Sequence, residues 1–357
     1  MNSFTFEAQA SRVVFGNGCF DQLELELERL GVSRAMLVST PGRASLVTRT
    51  RDLLDDDVVE VFDRAVAHVP QHIASAAREC AATSGADVLI ALGGSSAIGV
   101  AKAVALTASI PIVAIPTTYG GSEMTPVWGM TEEGKKETGR NPRVQPRTVI
   151  YDPDLTISLP ARTTASSGLN AMAHCVEALY AVDANALTSS AALEGLRLLA
   201  SSLPLLAATP EDREQRSNAL LGAWLAGYSL GTVQMALHHK LCHALGGAFD
   251  LPHAEMHAVL LPYTAAYNRD HAAQAMRLAS KTLEVEDAPS EILAIARVAG
   301  APLSLREIGM RRDDIPAAVE LAMERQYPNP APVTERGLTV LLEAAYQGDG
   351  DYVLRSA

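Results

Sequence analysis

The sequence predicts an α/β N-terminal domain, built on a doubly wound parallel sheet, followed by an all-α C-terminal domain. Three observations predict this fold class. Short apolar runs alternate with helical stretches in the first part of the chain, which favours a parallel sheet with helices on both faces. Long segments rich in alanine and leucine replace that alternation in the second part. The length of 357 residues suits two domains, which we place at residues 1–157 and 158–357.

The predicted sheet has four strands, each an apolar run long enough for one buried strand. They cover residues 34–39, 58–62, 88–92 and 110–115. Predicted helices run through residues 49–54, 71–83 and 97–106. Ligands of such sheets bind beyond the carboxyl ends of the strands, so the loops at those ends are candidates for a cofactor site.

Small residues follow the third predicted strand. Gly93, Gly94, Ser95 and Ser96 lie between that strand and the next helix. Glycines let the backbone come close to a ligand, and a serine there can cap the helix, whose open N–H groups suit a phosphate. A diphosphate would fit, although an ordinary tight turn has the same composition. The usual fingerprints G-x-G-x-x-G and G-x-x-x-x-G-K-[ST] are absent from this segment.

Hydroxyl groups and glycines also follow the fourth predicted strand. This loop contains Thr117, Thr118 and Thr125. Such a loop suits a ribose or a carboxamide, although solvated loops have a similar composition. Two loops of this kind on adjacent strands support a dinucleotide site more strongly than either loop does alone.

The loop after the first predicted strand bears on the choice between NADH and NADPH. It contains Thr40 and no acidic residue over positions 39–43. An acidic residue there would bond the ribose 2′-hydroxyl and repel a 2′-phosphate. We therefore predict weak discrimination between the two cofactors, below about a thousandfold, or roughly 4 kcal/mol.

The second domain is predicted to be helical and to carry a histidine cluster. Helical length and composition are found over residues 165–180, 187–202, 214–228, 233–245 and 335–346. Asn170 and His174 are four apart on one predicted helix, His239 and His243 are four apart on another, and His253 follows a turn. Residues four apart share a helical face, so two helices and one loop could bring these side chains to one point.

The cluster also has a structural interpretation. A single helical histidine is more often a hydrogen-bonded structural residue than a ligand or catalyst, and several at helical spacing make a site about as well supported as a structural cluster. We expect His238 to face away from His239 and His243, and His257 to support the site or to belong to the core.

Composition and charge exclude several classes of function. The net charge of −12 and the pI of about 5.2 would repel nucleic acid and anionic membranes. No uninterrupted apolar run approaches the roughly 18 residues of a membrane span, and the first residues lack a signal-peptide pattern. We expect a cytoplasmic protein without nucleic-acid or membrane partners.

The four cysteines form no Cys-x-x-Cys pair, so we expect mostly buried apolar thiols, with a nucleophile as a weak alternative.

The motifs together resemble the iron-containing (group III) alcohol dehydrogenase family and, within it, the maleylacetate reductase subgroup. The resemblance rests on the two loops described above, on Asp152-Pro153-x-Leu155, on the helix around His174 and on the segment that follows His239. It implies the dehydroquinate synthase-like fold, an active site in the cleft between the domains, and NADH or NADPH as cofactor. We expect the cofactor-binding residues at these positions: Thr40, Gly93, Gly94, Ser95, Ser96, Thr117, Thr118, Thr125, Lys136 and Leu155.

The resemblance also raises the question of whether this chain binds a metal ion. Metal-dependent members hold a divalent cation with one aspartate and three histidines, positions that correspond here to Asn170, His174, His239 and His253. The amide of Asn170 leaves the ligand set neutral, and a neutral carbonyl oxygen suits iron or zinc poorly. We therefore expect no metal at these four positions.

Reduction of the C=C bond of maleylacetate to 3-oxoadipate, in aromatic-compound degradation, is the activity that the subgroup implies. We expect His243 to be the proton donor, and His174, His239 and His253 to hold the substrate, a small dicarboxylate enone. Candidates for binding its carboxylates are Lys136, Arg140, Arg143 and Arg162. We also expect a homodimer. The alternatives are an iron- or zinc-dependent alcohol dehydrogenase, a sugar-phosphate cyclase of similar fold, and a non-catalytic cofactor-binding scaffold.

Overall fold

The computed structural model describes residues 11–132, 135–324 and 327–354, with the side chains of Lys135 and Lys136 left out. The described residues divide into two compact units, with the boundary between Ser158 and Leu159. The strands are β1 (Arg12–Phe15), β2 (Ala35–Ser39), β3 (Val58–Phe62), β4 (Val88–Gly93), β5 (Ile112–Pro116), β6 (Val127–Glu132), β7 (Lys135–Arg140) and β8 (Thr148–Tyr151). The helices are α1 (Leu23–Leu30), α2 (Ala44–Leu54), α3 (Gln71–Ser84), α4 (Ser95–Ala108), α5 (Ala161–Tyr180), α6 (Ala186–Ala208), α7 (Arg213–Thr232), α8 (Leu237–Phe249), α9 (His253–Asn268), α10 (Ala273–Leu283), α11 (Ala288–Ala299), α12 (Ile315–Met323), α13 (Glu335–Gln347) and α14 (Gly350–Leu354).

The first unit is built on a six-stranded sheet in the order β1-β8-β5-β4-β2-β3. All five neighbouring pairs are parallel, which confirms the predicted doubly wound sheet. The four predicted strands are β2, β3, β4 and β5. The strands β1 and β8, each of four residues, were not predicted, because so short a run has little periodicity of its own.

Helices cover both faces of this sheet. Met36 and Val38 pack on one face with α3 and α4, while Ala35 and Leu37 pack on the other face with α1 and α2. Successive side chains of a strand point to opposite faces, so β2 has to be apolar at both sets of positions. This burial explains why the strands read as continuous apolar runs. Beyond β5, β6 and β7 form an antiparallel pair in which Val127 lies opposite Arg140.

The second unit is helical as predicted, and α5 lies at its centre. Every residue of α5 from Thr164 to Leu179 is buried, and the helix packs against α6, α7 and α9. A close approach occurs at Gly168, where an added Cβ would lie 2.4 Å from a methyl carbon of Leu203. A second core joins α8, α9, α12 and α13. The residues of α5 that could do chemistry are therefore held in a fully packed environment.

Within the described part of the chain, α6 is long and apolar enough to cross a membrane when only length and composition are considered, and the bent pair α7 and α8 passes the same test if it is taken as one span. Polar residues, including Glu194 and Arg197, interrupt α6, so its sequence shows no continuous apolar run. In this structure α6 packs against α5 and α7, and the core helix of a globular domain passes the same length and composition test.

Candidate active site

The loops at the carboxyl edge of the sheet approach one another closely. The strand β4 ends at Gly93, which has a φ of +141°, and Gly94 is the N-cap of α4 with no side chain capping the helix. The expected cap by Ser95 or Ser96 is therefore wrong, because α4 already begins at Ser95. A Cβ added to Gly94 would lie 2.8 Å from Thr118 Oγ1, so any larger residue would push the Thr118 side chain aside. The first amides of α4 are left for a ligand to satisfy.

Three hydroxyl groups at this edge are buried without a hydrogen-bond partner among the described residues. They belong to Ser39 at the end of β2, to Thr117 directly after β5 and to Ser122 in the loop that follows. The side chains of Ser39 and Thr117 are fully buried. A buried hydroxyl without a partner is unfavourable by about 1–3 kcal/mol, so these positions fit a ligand that brings polar atoms, as a dinucleotide does.

Lys102 holds the loop after β5 and was missed by the sequence analysis. Its Nζ donates to the carbonyl oxygens of Ser122 at 2.6 Å, Thr125 at 2.7 Å and Val127 at 2.8 Å. Burial lowers the pKa of Lys102 to about 7, against the opposing effect of Glu123. The signal was available, since Lys102 is the one charged residue in the otherwise apolar helix α4.

The remaining expected cofactor positions, described next, show fewer features that point to a ligand. Thr40 precedes a short 3-10 turn, Pro41–Arg43, and Leu155 packs on the face of the sheet that α1 and α2 cover. Thr125 is buried and its hydroxyl oxygen lies 3.0 Å from Nζ of Lys102. The side chain of Lys136 lies outside the described residues.

In the helical unit, a buried carboxylate supports two of the expected histidines. Glu177 Oε2 accepts from His239 Nδ1 at 2.7 Å, and His239 Nε2 lies 2.9 Å from His174 Nδ1. Backbone amides of Ala236 and His238 also donate to Glu177, at 2.9 and 2.8 Å. Burial opposes ionisation, but these hydrogen bonds outweigh it and hold the pKa of Glu177 below its ordinary value. An anion thus orients the pair His239 and His174.

A second hydrogen-bonded chain fixes the tautomers of two more histidines. Thr264 Oγ1 donates to backbone carbonyls of α9, so it accepts from His238 Nδ1, 3.0 Å away. Burial, with a smaller effect from a neighbouring histidine, lowers the pKa of His238 well below its ordinary value. His238 is therefore neutral, and its Nε2 accepts from His257 Nδ1 at 2.9 Å.

The consequence is an open lone pair at His257 Nε2. Burial, followed by four surrounding histidines, lowers the pKa of His257 well below its ordinary value, so this ring is also neutral. Its one proton is on Nδ1, and Nε2 has no partner among the described residues. The ring centroid lies 4.5 Å from that of His253 and 5.1 Å from that of His239. The cluster therefore contains one buried acceptor for a proton-donating group.

The structure brings the predicted histidines together and corrects two expectations. His243 lies 6.4 Å from His239 between ring centroids, and Asn170 is buried on the same helix as His174. His253 is the first residue of α9 and not part of a loop. His238 was expected to face away from His239, but the two rings lie side by side, with centroids 5.4 Å apart. They meet different helices, since neighbours on a helix differ by about 100°: His239 contacts His174 on α5, and His238 contacts Thr264 on α9.

Among the candidate residues for the substrate carboxylates, Arg162 is already neutralised. Its guanidinium contacts Glu255 at 2.6 Å and Glu307 at 2.9 Å. Arg140 and Arg143 are exposed, and the side chain of Lys136 is not described. None of these four is shown to serve a substrate.

At the four positions that resemble a metal site, the donor set is neutral, because Asn170 offers an amide where the family has a carboxylate. Such a set suits iron or zinc less well than one with a carboxylate. Potential donor atoms of a different group, His238, Cys242 and His257, lie within 4.8 Å of one another. In that group His257 Nδ1 donates a hydrogen bond to His238 Nε2. The lone pair of His238 that faces the group is therefore already used.

Comparison with known proteins gives one family for both halves of the chain. The model of the iron-containing alcohol dehydrogenase family matches residues 10–153, and the C-terminal model of the same family matches residues 164–346. The chain is 50% identical to a maleylacetate reductase from Burkholderia cepacia over 98% of this chain and 99% of the relative. It is 46% identical to the maleylacetate reductase of Sphingobium indicum, over 97% and 98% of the two chains.

Solved structures agree with this assignment. The crystal structure of maleylacetate reductase from Agrobacterium tumefaciens superposes with a TM-score of 0.92 at 42% identity, covering 98% of this chain and 99% of that one. The predicted resemblance is thus confirmed over nearly the full length. The protein belongs to the iron-containing alcohol dehydrogenase family, in which the maleylacetate reductases are near relatives.

Proposed function

We propose that the protein reduces the C=C bond of maleylacetate with NADH or NADPH and forms 3-oxoadipate. The observation that carries the proposal is the histidine cluster with Asn170 where the family's metal ligand set has an aspartate. Relatives named maleylacetate reductase, 43–50% identical over nearly the whole chain, support it. We also propose that the protein acts in aromatic-compound degradation in the cytoplasm, as a homodimer.

The dinucleotide would be held at the carboxyl edge of the sheet. Open amides at the start of α4 suit its diphosphate, and the buried hydroxyls of Thr117 and Ser122 suit its ribose or carboxamide. Lys102 keeps the loop that carries Ser122 and Thr125 in place. When bound, the dinucleotide supplies a hydride to the alkene carbon β to the ketone of the substrate.

The histidines would act on the charge that develops on the substrate. Addition at the β carbon moves an electron pair to the ketone oxygen and gives an enolate, which hydrogen-bond donors stabilise. We assign this stabilisation, and contacts to a carboxylate, to His174, His239 and His253. His243 would donate the proton to the neighbouring carbon, which completes 3-oxoadipate. Glu177 keeps His239 oriented for this work.

We further propose that the reaction needs no metal ion at the four family positions. An isolated carbonyl is reduced more easily with a Lewis acid, whereas a conjugated enone spreads the charge over its own oxygen. The neutral amide of Asn170, in place of a carboxylate, argues against a bound transition ion. No step assigned to the histidines depends on one.

The test is NADH oxidation with maleylacetate before and after exhaustive chelation, beside oxidation of simple alcohols with NAD⁺. We expect reduction of maleylacetate that chelation leaves unchanged. Alcohol oxidation restored by iron or zinc would overturn the proposal in favour of a metal-dependent alcohol dehydrogenase. Tightly held NADH without net oxidation would indicate a cyclase, and binding without any turnover would indicate a scaffold.

His243→Ala tests the assigned proton donor. We expect kcat to fall by roughly a hundredfold or more, the usual range for an acid or base group. His271→Ala, at an exposed histidine of the same unit, is the matched control and should keep normal turnover. A near-normal rate for His243→Ala would remove His243 from the mechanism.

A further inference from the structure

The helix α8, which carries His239 and His243, begins without a side chain of its own that could cap it. Its N-cap residue is Ala236, and an alanine offers no acceptor to the first N–H groups of a helix. The chain turns by 93° between α7 and α8, so α8 is a new helix start and not a continuation of α7. Acceptors for its first amides must therefore come from other elements.

Two side chains supply these acceptors to three consecutive amides. Glu177 of α5 accepts from the amides of Ala236 and His238. The amide between them, that of Leu237, donates instead to Asn329 Oδ1 at 3.3 Å. Asn329 lies outside the helices, 92 residues further along the chain. The start of α8 is therefore capped from two sides, by a carboxylate and by an amide oxygen.

Asn329 is held in place by a reciprocal amide pair. Its Nδ2 donates to Asn268 Oδ1 at 2.8 Å, and Asn268 Nδ2 donates to Asn329 Oδ1 at 3.1 Å. Backbone groups of Ala331 fix both orientations, since its carbonyl accepts from Asn329 Nδ2 at 2.8 Å and its N–H donates to Asn268 Oδ1 at 3.2 Å. An amide whose oxygen and NH₂ group are both engaged in this way has one orientation. The oxygen of Asn329 therefore stays directed at Leu237.

Asn329 belongs to a proline-rich strap, defined as residues 327–333. Three of its seven residues are prolines, at every second position. Each proline ring fixes one backbone dihedral, so the strap loses less conformational freedom when it is anchored than an ordinary loop would. A second anchor is Tyr267 of α9, whose hydroxyl donates to the carbonyl of Pro332 at 2.7 Å. The strap is thus a stiff support for Asn329.

The same amide pair also reaches the other cap of α8. Asn268 Nδ2 donates to Tyr180 Oη at 3.5 Å, and Tyr180 donates to Glu177 Oε1 at 3.4 Å. Both distances are at the long end for hydrogen bonds, so the direct contact of Asn329 with Leu237 is the main connection. The two caps of α8 nevertheless belong to one network.

We infer that Asn329 is a positioning residue, which together with Asn268 completes the cap of α8 from the strap and so orients the helix that presents His239 and His243. The inference rests on the proposed function, because those histidines are assigned to the reduction. His239 is the third residue of this 13-residue helix, so a loosened start would displace its ring first. A displacement of about 1 Å at a reacting site can lower the rate about a hundredfold.

The experiment compares turnover with hydrogen exchange in the full-length protein and its variants. For Asn329→Ala we expect kcat with maleylacetate to fall about 10- to 100-fold, with the KM for NADH unchanged. Exchange of the amides at residues 236–239, followed by mass spectrometry, should become about 3- to 10-fold faster, the range of one neutral hydrogen bond. Exchange in α10 and α11 should stay as in wild type.

Two further variants separate the cap from the strap that carries it. Tyr267→Phe is the matched control, since it removes the anchor at Pro332 and leaves the contact between Asn329 and Leu237. It should speed exchange within the strap and leave kcat and the exchange of α8 unchanged. Asn329→Asp is the milder second variant, because it keeps an acceptor for Leu237 and loses only the donor to Asn268. It should retain more of kcat and of the α8 protection than Asn329→Ala.

A normal kcat for Asn329→Ala would overturn the inference. So would a fall in kcat without faster exchange at the start of α8 in either Asn329 variant, or an equal fall in kcat for Tyr267→Phe. If the exchange pattern is as expected and wild type does not reduce maleylacetate, the proposed function fails while the cap stands. If wild type reduces maleylacetate and Asn329→Ala leaves α8 protected, the cap fails alone.

Discussion

Replacing Glu177 by glutamine tests whether the histidine cluster depends on a buried carboxylate. Oε2 accepts from His239 Nδ1 and the amide of Ala236, and Oε1 accepts from the amide of His238 and from Tyr180 at 3.4 Å. A glutamine has one oxygen and one NH₂ group in the same place. Whichever way the amide turns, its NH₂ group faces a backbone N–H, so at least one buried donor loses its acceptor.

The size of the effect follows from these contacts. Breaking a buried charged interaction by removing one partner is destabilising by about 3–5 kcal/mol. For a unit of this size, 1 kcal/mol changes the Tm by about 2–4 °C, so we expect Glu177→Gln to lower the Tm of the helical unit by about 6–20 °C. The loss of the anion also weakens the acceptor that orients His239. We therefore expect kcat to fall as well as the Tm.

The assay is thermal unfolding by circular dichroism, with Glu194→Gln as the matched control. Glu194 forms an exposed ion pair with Arg197, and such pairs contribute about 0–1 kcal/mol. Since the folded-state pKa of Glu177 is lowered, its stabilisation is complete above the ordinary carboxyl pKa of about 4.3. It is lost as the pH falls through the lower folded value, so the difference from wild type should shrink in acid. Equal Tm values for the two variants at neutral pH would refute this reasoning.

Two further predictions concern Lys102 and the buried neutral histidines. Lys102→Met should weaken NADH binding more than tenfold, because three loop carbonyls lose their donor at about 1–3 kcal/mol each. Fluorescence titration measures the affinity, with the exposed Lys281→Met as the control. An unchanged affinity would disprove that Lys102 holds the cofactor loop in place. The lowered pKa values of His238 and His257 mean that only the unfolded chain binds protons below pH about 6.5. Stability is therefore full above that pH, and lowering the pH to 5.5 should remove about 2.8 kcal/mol and about 6–11 °C of Tm. Glutamine at either position should reduce this slope, and a flat Tm over that pH range would contradict the assigned neutral states.

The sequence predicted most of the sheet because its strands are buried on both faces. The strand β4 carries its signal locally, since its side chains from Val88 to Leu92 alternate between the two helix-covered faces of the sheet. The strand β8 carries no such local signal. It has only four residues and becomes a strand by pairing with β1 and β5, contacts that a local pattern does not contain.

In the candidate site, helical spacing predicted the residues on each helix but not the contacts between helices. The i, i+4 pattern identified His174 and His239, and both are in the cluster. Glu177 was not assigned a role, and His257 was left between a supporting role and the core, because each acts through a partner on a different helix. His253 was placed in a loop, whereas it is the first residue of α9, with Pro252 as the N-cap.

The complete burial of α5 between Thr164 and Leu179 has a consequence for protein engineering. Along this helix every substitution changes packing as well as chemistry. A library randomised there would therefore contain mostly misfolded variants, and few would survive a selection for activity. The surface loop around Arg43 is different, because it contributes little to the core. Positions in that loop can therefore be randomised with little effect on folding.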